Sequence, residues 1–157
     1  MPSERAAAKP QLNLDTFLPY RLSVLSNRVS DAIARQYSQR FDLSIPEWRV
    51  IAVLGQTPTL SARDVARRTA MDKVQVSRAV TSLVASRRVV RSEDDDDARI
   101  SRLSLTARGR AIYDEVAPLA LRLESLLLSS LSAQERNTFE NLMHKLDRQV
   151  SLLGAPE

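Results

Sequence analysis

Four short signals punctuate this chain, each a serine or aspartate followed three residues later by an acid or an amide. They are Ser44 with Glu47, Ser61 with Asp64, Asp72 with Gln75, and Ser132 with Glu135. A side-chain oxygen in the first position accepts from an orphan N–H of a first helical turn, and the third residue on can return the bond. Each pair therefore predicts a helix start. Three of them fall between residues 44 and 75, which leaves room only for short helices joined by tight turns. The first carries Pro46 in its opening turn and runs through Trp48, Val50, Ile51 and Leu54 to a stop at Gly55 and Pro58. The second covers Ala62 to Thr69, and the third Lys73 to about Ser86.

Around this cluster the pattern changes. Residues 1–13 hold Pro2, Pro10 and alanines without periodicity and read as a flexible arm. From Asp15 onward, Phe17, Leu18, Leu22, Leu25, Val29, Ile33, Tyr37 and Phe41 recur at helical spacing, a long amphipathic helix. Val89-Val90-Arg91 is β-prone, Glu93 to Ala98 is turn-like, and Ile100, Leu103 and Leu105 alternate with polar residues: a two-stranded hairpin. Thr106 caps a further helix, with a kink expected near Pro118, and the last helix follows Ser132. The fold class is mainly α with a small β-wing: a winged helix-turn-helix lobe, residues 44–106, between helical regions at 14–43 and 107–157. Residues 119–131, LALRLESLLLSSL, place seven leucines in thirteen positions. A monomer of 157 residues has little interior for that stripe together with those of the first and last helices, so the outer helices are expected to form a homodimer interface.

Composition excludes more than it selects. The absence of cysteine removes disulfides, thiol redox sensing and thiolate metal sites, and a lone His144 makes a transition-metal site improbable. Three glycines and no nucleophile–base pair argue against a nucleotide loop or an enzyme, and no cofactor is implied. No apolar run approaches the roughly 18 residues of a membrane span. The opening MPSERAAAKPQLN lacks the apolar core of a secretory signal, so a cytoplasmic location is expected. The net charge of +4 favours an anionic partner.

The charge is localised. Residues 61–110 contain twelve Lys and Arg against seven acids, and five of those acids are Glu93 to Asp97. Along DKVQVSRAVTSLVAS, residues 72–86, Val76, Ala79, Val80 and Leu83 gather on one side when set about 100° apart. Lys73, Val74, Gln75, Ser77, Arg78, Thr81 and Ser82 spread over the rest, with no acid after the cap. A merely solvated helix mixes Glu or Asp into its outer face. Small, polar and cationic side chains instead suit a major groove of double-stranded DNA. There Arg reaches guanine, Gln reaches adenine, and valine packs on a thymine methyl. Ser61 and Arg63 are candidate contacts to the phosphate backbone.

The stretch TLSARDVARRTAMDKVQVSRAVTSLVASRRVVRSEDDDDARISRLSLTARGR, residues 59–110, resembles the winged helix-turn-helix of MarR-type transcriptional regulators. The matching positions are Asp64-Val65-Ala66, Asp72-Lys73, Val76-Ser77-Arg78, Leu83, Arg91, Asp94, Asp97, Arg99, Leu105-Thr106 and Gly109. The resemblance implies a homodimer on a pseudo-palindromic operator. It also implies a repressor released by a small ligand, often a phenolic or aromatic carboxylate or, by extension, its CoA thioester. An effector-independent architectural DNA binder is the alternative. Two departures stand out. Arg87 occupies the position of a glycine that ends the recognition helix in a left-handed turn, so a different turn or a longer helix is expected. Ala98 replaces the first wing arginine.

In the resemblance Asp97 and Arg99 fall on the wing-tip D-x-R, the arginine a minor-groove probe and the aspartate its holder, with Arg91 and Arg102 on the strands. The remaining carboxylates of the Asp94–Asp97 run should face solvent or the turn backbone; their spacing does not suit a calcium loop. Asp95→Asn or Asp96→Asn should leave DNA binding equal or tighter, whereas Arg99→Ala should weaken it markedly in a gel-shift series. Candidate effector-pocket residues are Tyr20, Arg21, Arg28, Trp48 and Arg49, the arginines to pair a carboxylate and the rings to stack, although Trp48 also fits the core.

Overall fold

The computed structural model describes residues 11–94 and 101–153. The chain divides into two compact units, one ending at Arg110 and the other beginning at Ala111. The first unit opens with α1, Leu18–Phe41. The expected start near Asp15 gives way to a turn, in which Phe17 N–H donates to Asn13 O at 3.0 Å, and Pro19 then sits in the first helical turn. Proline has no N–H to contribute there, so the helix begins around it.

Next come α2 (Ile45–Gln56), β1 (Leu60–Ser61), α3 (Ala62–Thr69) and α4 (Lys73–Ala85). All three caps form. Ser44 Oγ and Asp72 Oδ1 accept from the N–H groups of Glu47 and Gln75, and both side chains close the box in return. Gly55 does not stop α2, which continues to Gln56 until Thr57 turns extended at φ −127°. Strands β2 (Val89–Glu93) and β3 (Ser101–Leu105) pair antiparallel, with Arg91 opposite Leu103. The expected hairpin is in fact two strands of a three-stranded sheet, because Leu60 and Ser61 pair with Leu103 and Arg102 in the order β1-β3-β2. Two residues are too few to show an alternating pattern, and β3 supplies the register.

The core of this unit joins Val50, Ile51 and Leu54 of α2 to Val65 of α3 and Val76, Val80 and Leu83 of α4, with Val89 and Leu103 from the sheet. Tyr37 of α1 is buried too, its ring 5.5 Å from that of Trp48. Burial pushes the Tyr37 phenol up to about 12, the Arg49 charge pulling the other way. Because the folded value is raised, this stabilisation is complete below pH 10 and lost as pH climbs from 10 toward 12. About 2–3 kcal/mol is involved, and Tyr37→Phe should flatten that alkaline limb in denaturant melts.

The turn after α4 overturns one expectation. Arg87 adopts the left-handed conformation, φ 55°, and neither alters the turn nor lengthens the helix. Arg88 N–H donates to Leu83 O at 2.8 Å and Arg87 N–H to Val84 O at 3.0 Å, a complete Schellman closure. These bonds, with Thr106 Oγ1 donating to Arg87 O at 2.8 Å, hold a residue whose Cβ resists that geometry. Arg87→Gly should therefore stabilise the protein by up to about 1 kcal/mol, read as a raised denaturation midpoint.

Helix α5 (Ala107–Leu128) starts at Thr106 and continues through Pro118, crossing from the first unit into the second. In the second unit α6 (Ala133–Leu153) is capped by Ser132 and Glu135 and has no buried residue. Phe139, Leu142, Met143, Leu146 and Val150 all stand exposed along it. In the first unit Leu18, Tyr20, Leu22 and Leu25 of α1 are likewise exposed. Among the described residues no single helix is long and apolar enough to cross a membrane.

Candidate nucleic-acid interface

Helix α4 presents two unlike faces. Val76, Ala79, Val80 and Leu83 are buried, and Lys73, Val74, Gln75, Ser77, Arg78, Thr81 and Ser82 are all exposed. Val74 is 58% exposed, an apolar side chain held in water on an otherwise polar face. Two of these residues also have work within the lobe. Gln75 Oε1 accepts from Asp72 N–H at 3.3 Å, closing the capping box. Ser82 Oγ donates to Glu47 Oε1 at 2.5 Å, which ties the hydroxyl to α2.

Beside α4 lies a recess of about 280 Å³ that draws cations from three elements: Arg63 of α3, Lys73 of α4 and Arg91 of β2, with Ser77 between them. Its floor is apolar, Val76, Val80 and Leu103. A short α3, the tight turn at Ala70–Asp72 and the β2–β3 register together place these charges on one rim. Ser61 lies next to it, but its hydroxyl donates to Asp64 Oδ2 at 2.7 Å and accepts from Asp64 N–H at 3.1 Å. The Ser61 hydroxyl hydrogen bond, with the charges of Arg67 and Arg102, holds the Asp64 carboxyl below its ordinary value against partial desolvation.

On the wing, Arg91 is exposed on β2, whereas Arg102 of β3 forms an ion pair through Nε with Asp94 Oδ2. Asp94 therefore does not face solvent as expected; its side chain is only 8% exposed because the pair and the sheet cover it. Asp97 and Arg99 lie outside the described residues, as do Asp95 and Asp96.

The five effector-pocket candidates do not converge. Tyr20, Arg21 and Arg28 border a shallow cleft along α1 with Leu18 and Leu25. Trp48 and Arg49 line a second cavity of about 560 Å³ with Asn27, Arg68 and Thr69. The cause is helical geometry: Arg21 and Arg28 share one face of α1, and Ser23, which borders the second cavity, lies about 200° around from Arg21. Arg49 Nη2 donates to Ser30 Oγ at 3.3 Å and Arg68 Nη1 to Thr57 Oγ1 at 2.6 Å.

Sequence reasoning missed Glu47 and Arg88. Glu47 was legible only as a cap, yet it is buried and serves two helices. Burial pushes its carboxyl up, but hydrogen bonds from the Ser44 and Ser82 hydroxyls and the Ser44 N–H, with the Arg88 charge, outweigh that and hold it below its ordinary value. Arg88, 7% exposed, was one more arginine in a basic segment. Nothing in the linear pattern distinguishes a buried arginine from its exposed neighbours.

A polar, acid-free helix on a helix-turn-helix, flanked by a cationic rim and a β-wing, defines a winged helix-turn-helix DNA-binding protein. The family model described as "MarR family" matches residues 41–100. An HTH-type transcriptional repressor of Mycobacterium tuberculosis is 27% identical over 131 residues, 83% of this chain and 91% of that protein. The homoprotocatechuate degradative operon repressor of Escherichia coli is 22% identical over 118 residues, 75% and 78% of the two chains. Among solved structures, a MarR/EmrR family transcriptional regulator from Acinetobacter sp. ADP1 superposes with a TM-score of 0.81 at 26% identity, covering 90% of this chain and 99% of the other. Residues 41–100 thus match the MarR family model, and over most of its length the chain is similar to MarR-family transcriptional regulators and shares their winged helix-turn-helix fold.

Proposed function

We propose that this regulator is a repressor that binds a pseudo-palindromic operator, each protomer inserting α4 into the major groove of one half-site. The observation that carries the reading is the outward face of α4, exposed and without an acid from Lys73 to Ala85. Arg78 reads a guanine, Gln75 an adenine once its capping bond is released, and Val74 packs on a thymine methyl. Lys73, Ser77, Thr81 and Ser82 complete the contact. Arg63, Ser61 and Arg91 hold phosphates along the rim, and Arg102 supports the wing through Asp94. The wing tip enters the minor groove with Arg99, held by Asp97, as the resemblance implies. Residues 44–106 form the DNA-binding lobe, residues 14–43 and 107–157 the dimerisation region, and residues 1–13 an arm.

Release follows from a small aromatic carboxylate, free or as a CoA thioester, bound against Trp48, Arg49 and Arg68. The named substrate of the E. coli relative's operon, homoprotocatechuate, is an acid of that class. A ligand that binds the DNA-incompetent arrangement more tightly shifts the population away from the operator. Selection of bound sequences from a random duplex pool tests the reading. It should return two inverted half-sites about 34–36 Å apart, and an aromatic acid should then displace the protein from them. An enriched pool without any consensus would instead describe an architectural binder, and would end the proposal.

A further inference from the structure

The C-terminal end of α4 is tied down by two polar contacts that the DNA-reading face does not require. Ser82 donates to Glu47, whose other oxygen accepts from Ser44 N–H at 2.7 Å and Oγ at 2.6 Å at the start of α2. Just past the left-handed turn, the Arg88 guanidinium reaches back to the far end of α1. Nη1 donates to Asp42 O at 2.9 Å and Nη2 to Phe41 O at 2.5 Å. Those carbonyls belong to the last residue and the C-cap of a 24-residue helix, at the negative end of its dipole. Arg88's own carbonyl accepts from Thr106 N–H at 3.1 Å, where α5 begins.

A buried arginine is an expensive way to fill this space. Its Nε has no hydrogen-bond partner among the described residues, and an apolar side chain would pack without that desolvation cost. What an apolar side chain cannot do is bond two carbonyls at once and so set an angle. We propose that Arg88, together with the Ser82–Glu47 contact, is a positioning residue that sets the direction of α4 relative to α1. It thereby sets the separation of the two recognition helices in the homodimer, and with it the operator spacing that the dimer accepts. The inference rests on the reading of α1 as part of the dimerisation region.

The lever is long enough to matter. Thirteen residues of α4 span about 20 Å, so a 10° swing about its C-terminal end moves its tip by about 3.5 Å, close to the roughly 3.4 Å rise of one base pair.

The chain has no cysteine, so Lys73→Cys at the exposed tip of α4 accepts a single spin label per protomer, and pulsed dipolar spectroscopy without DNA reads the distance between the two tips. With Arg88 intact, one narrow distance is expected. Arg88→Leu should broaden it by several ångströms. In unlabelled protein, the same change should reduce discrimination against an operator with one inserted central base pair from at least about tenfold to under about threefold. Arg88→Lys, whose single ammonium lacks the rigid planar fork that fixes both bonds in direction, should fall between, and it carries the test if Arg88→Leu does not fold. A folded variant with a lower melting temperature but an unchanged distance and unchanged discrimination would show a structural role only and overturn the proposal. Failure of the underlying reading looks different: parent protein with no measurable tip-to-tip distance, or with no spacing preference, removes the dimer–operator geometry and this inference with it.

Discussion

Gly109→Ala is expected to destabilise the fold by about 2–3 kcal/mol, the range of a forced overpacking, although alanine gains roughly 1 kcal/mol over glycine inside a helix. A Cβ on residue 109 would stand 2.0 Å from the carbonyl oxygen of Arg88 and 3.0 Å from its carbon. Neither is the end of a flexible side chain. That carbonyl accepts from Thr106 N–H and from Thr106 Oγ1, the residue that also caps Gly109 N–H at 3.1 Å. Relief therefore means separating the first turn of α5 from the turn after α4, with loss of the cap. Denaturant melts should show a clearly lower midpoint. A variant as stable as the parent would mean that the α4–α5 junction is looser than these distances describe.

Arg78→Ala should leave that midpoint within about 0.5 kcal/mol, as for exposed positions generally, while removing about 1–3 kcal/mol of base discrimination in each half-site. Operator affinity should fall at least about tenfold, and the selected consensus should lose one position per half-site rather than weaken evenly. Arg63→Ala is the contrast: uniform weakening across sequences and a salt slope shallower by about one counterion. Fluorescence anisotropy over a salt series with operator and scrambled duplex separates the two. Equal losses on both duplexes for Arg78→Ala would assign that side chain to the backbone instead.

How much of this was legible in the chain depends on how local each cause is. The starts of α2, α3, α4 and α6 followed from residue pairs three apart, because a cap bond closes within one turn. The division of α4 into buried and exposed faces followed from periodicity, and every residue assigned to each side fell there. Strand β1 was not legible, since two residues carry no alternation and their pairing partner lies more than forty positions on. Nor was the pairing of Asp94, just past the end of β2, with Arg102 of β3, since their meeting depends on the strand register. The effector candidates shared a chemistry but not a cavity: Tyr20, Arg21 and Arg28 border one along α1, and Trp48 and Arg49 another.

The order of the helices and of the β2–β3 pair, the acid-free face of α4 and the apolar stripes of α1 and α6 could be read from the chain alone, since helical caps and periodicity act over a few residues. The left-handed turn at Arg87, the bond from Ser82 to Glu47 and the burial of Arg88 against the end of α1 required the assembled lobe. Those outcomes arise where segments distant in the chain meet, and there neighbouring backbone, rather than local preference, selects the lowest free energy.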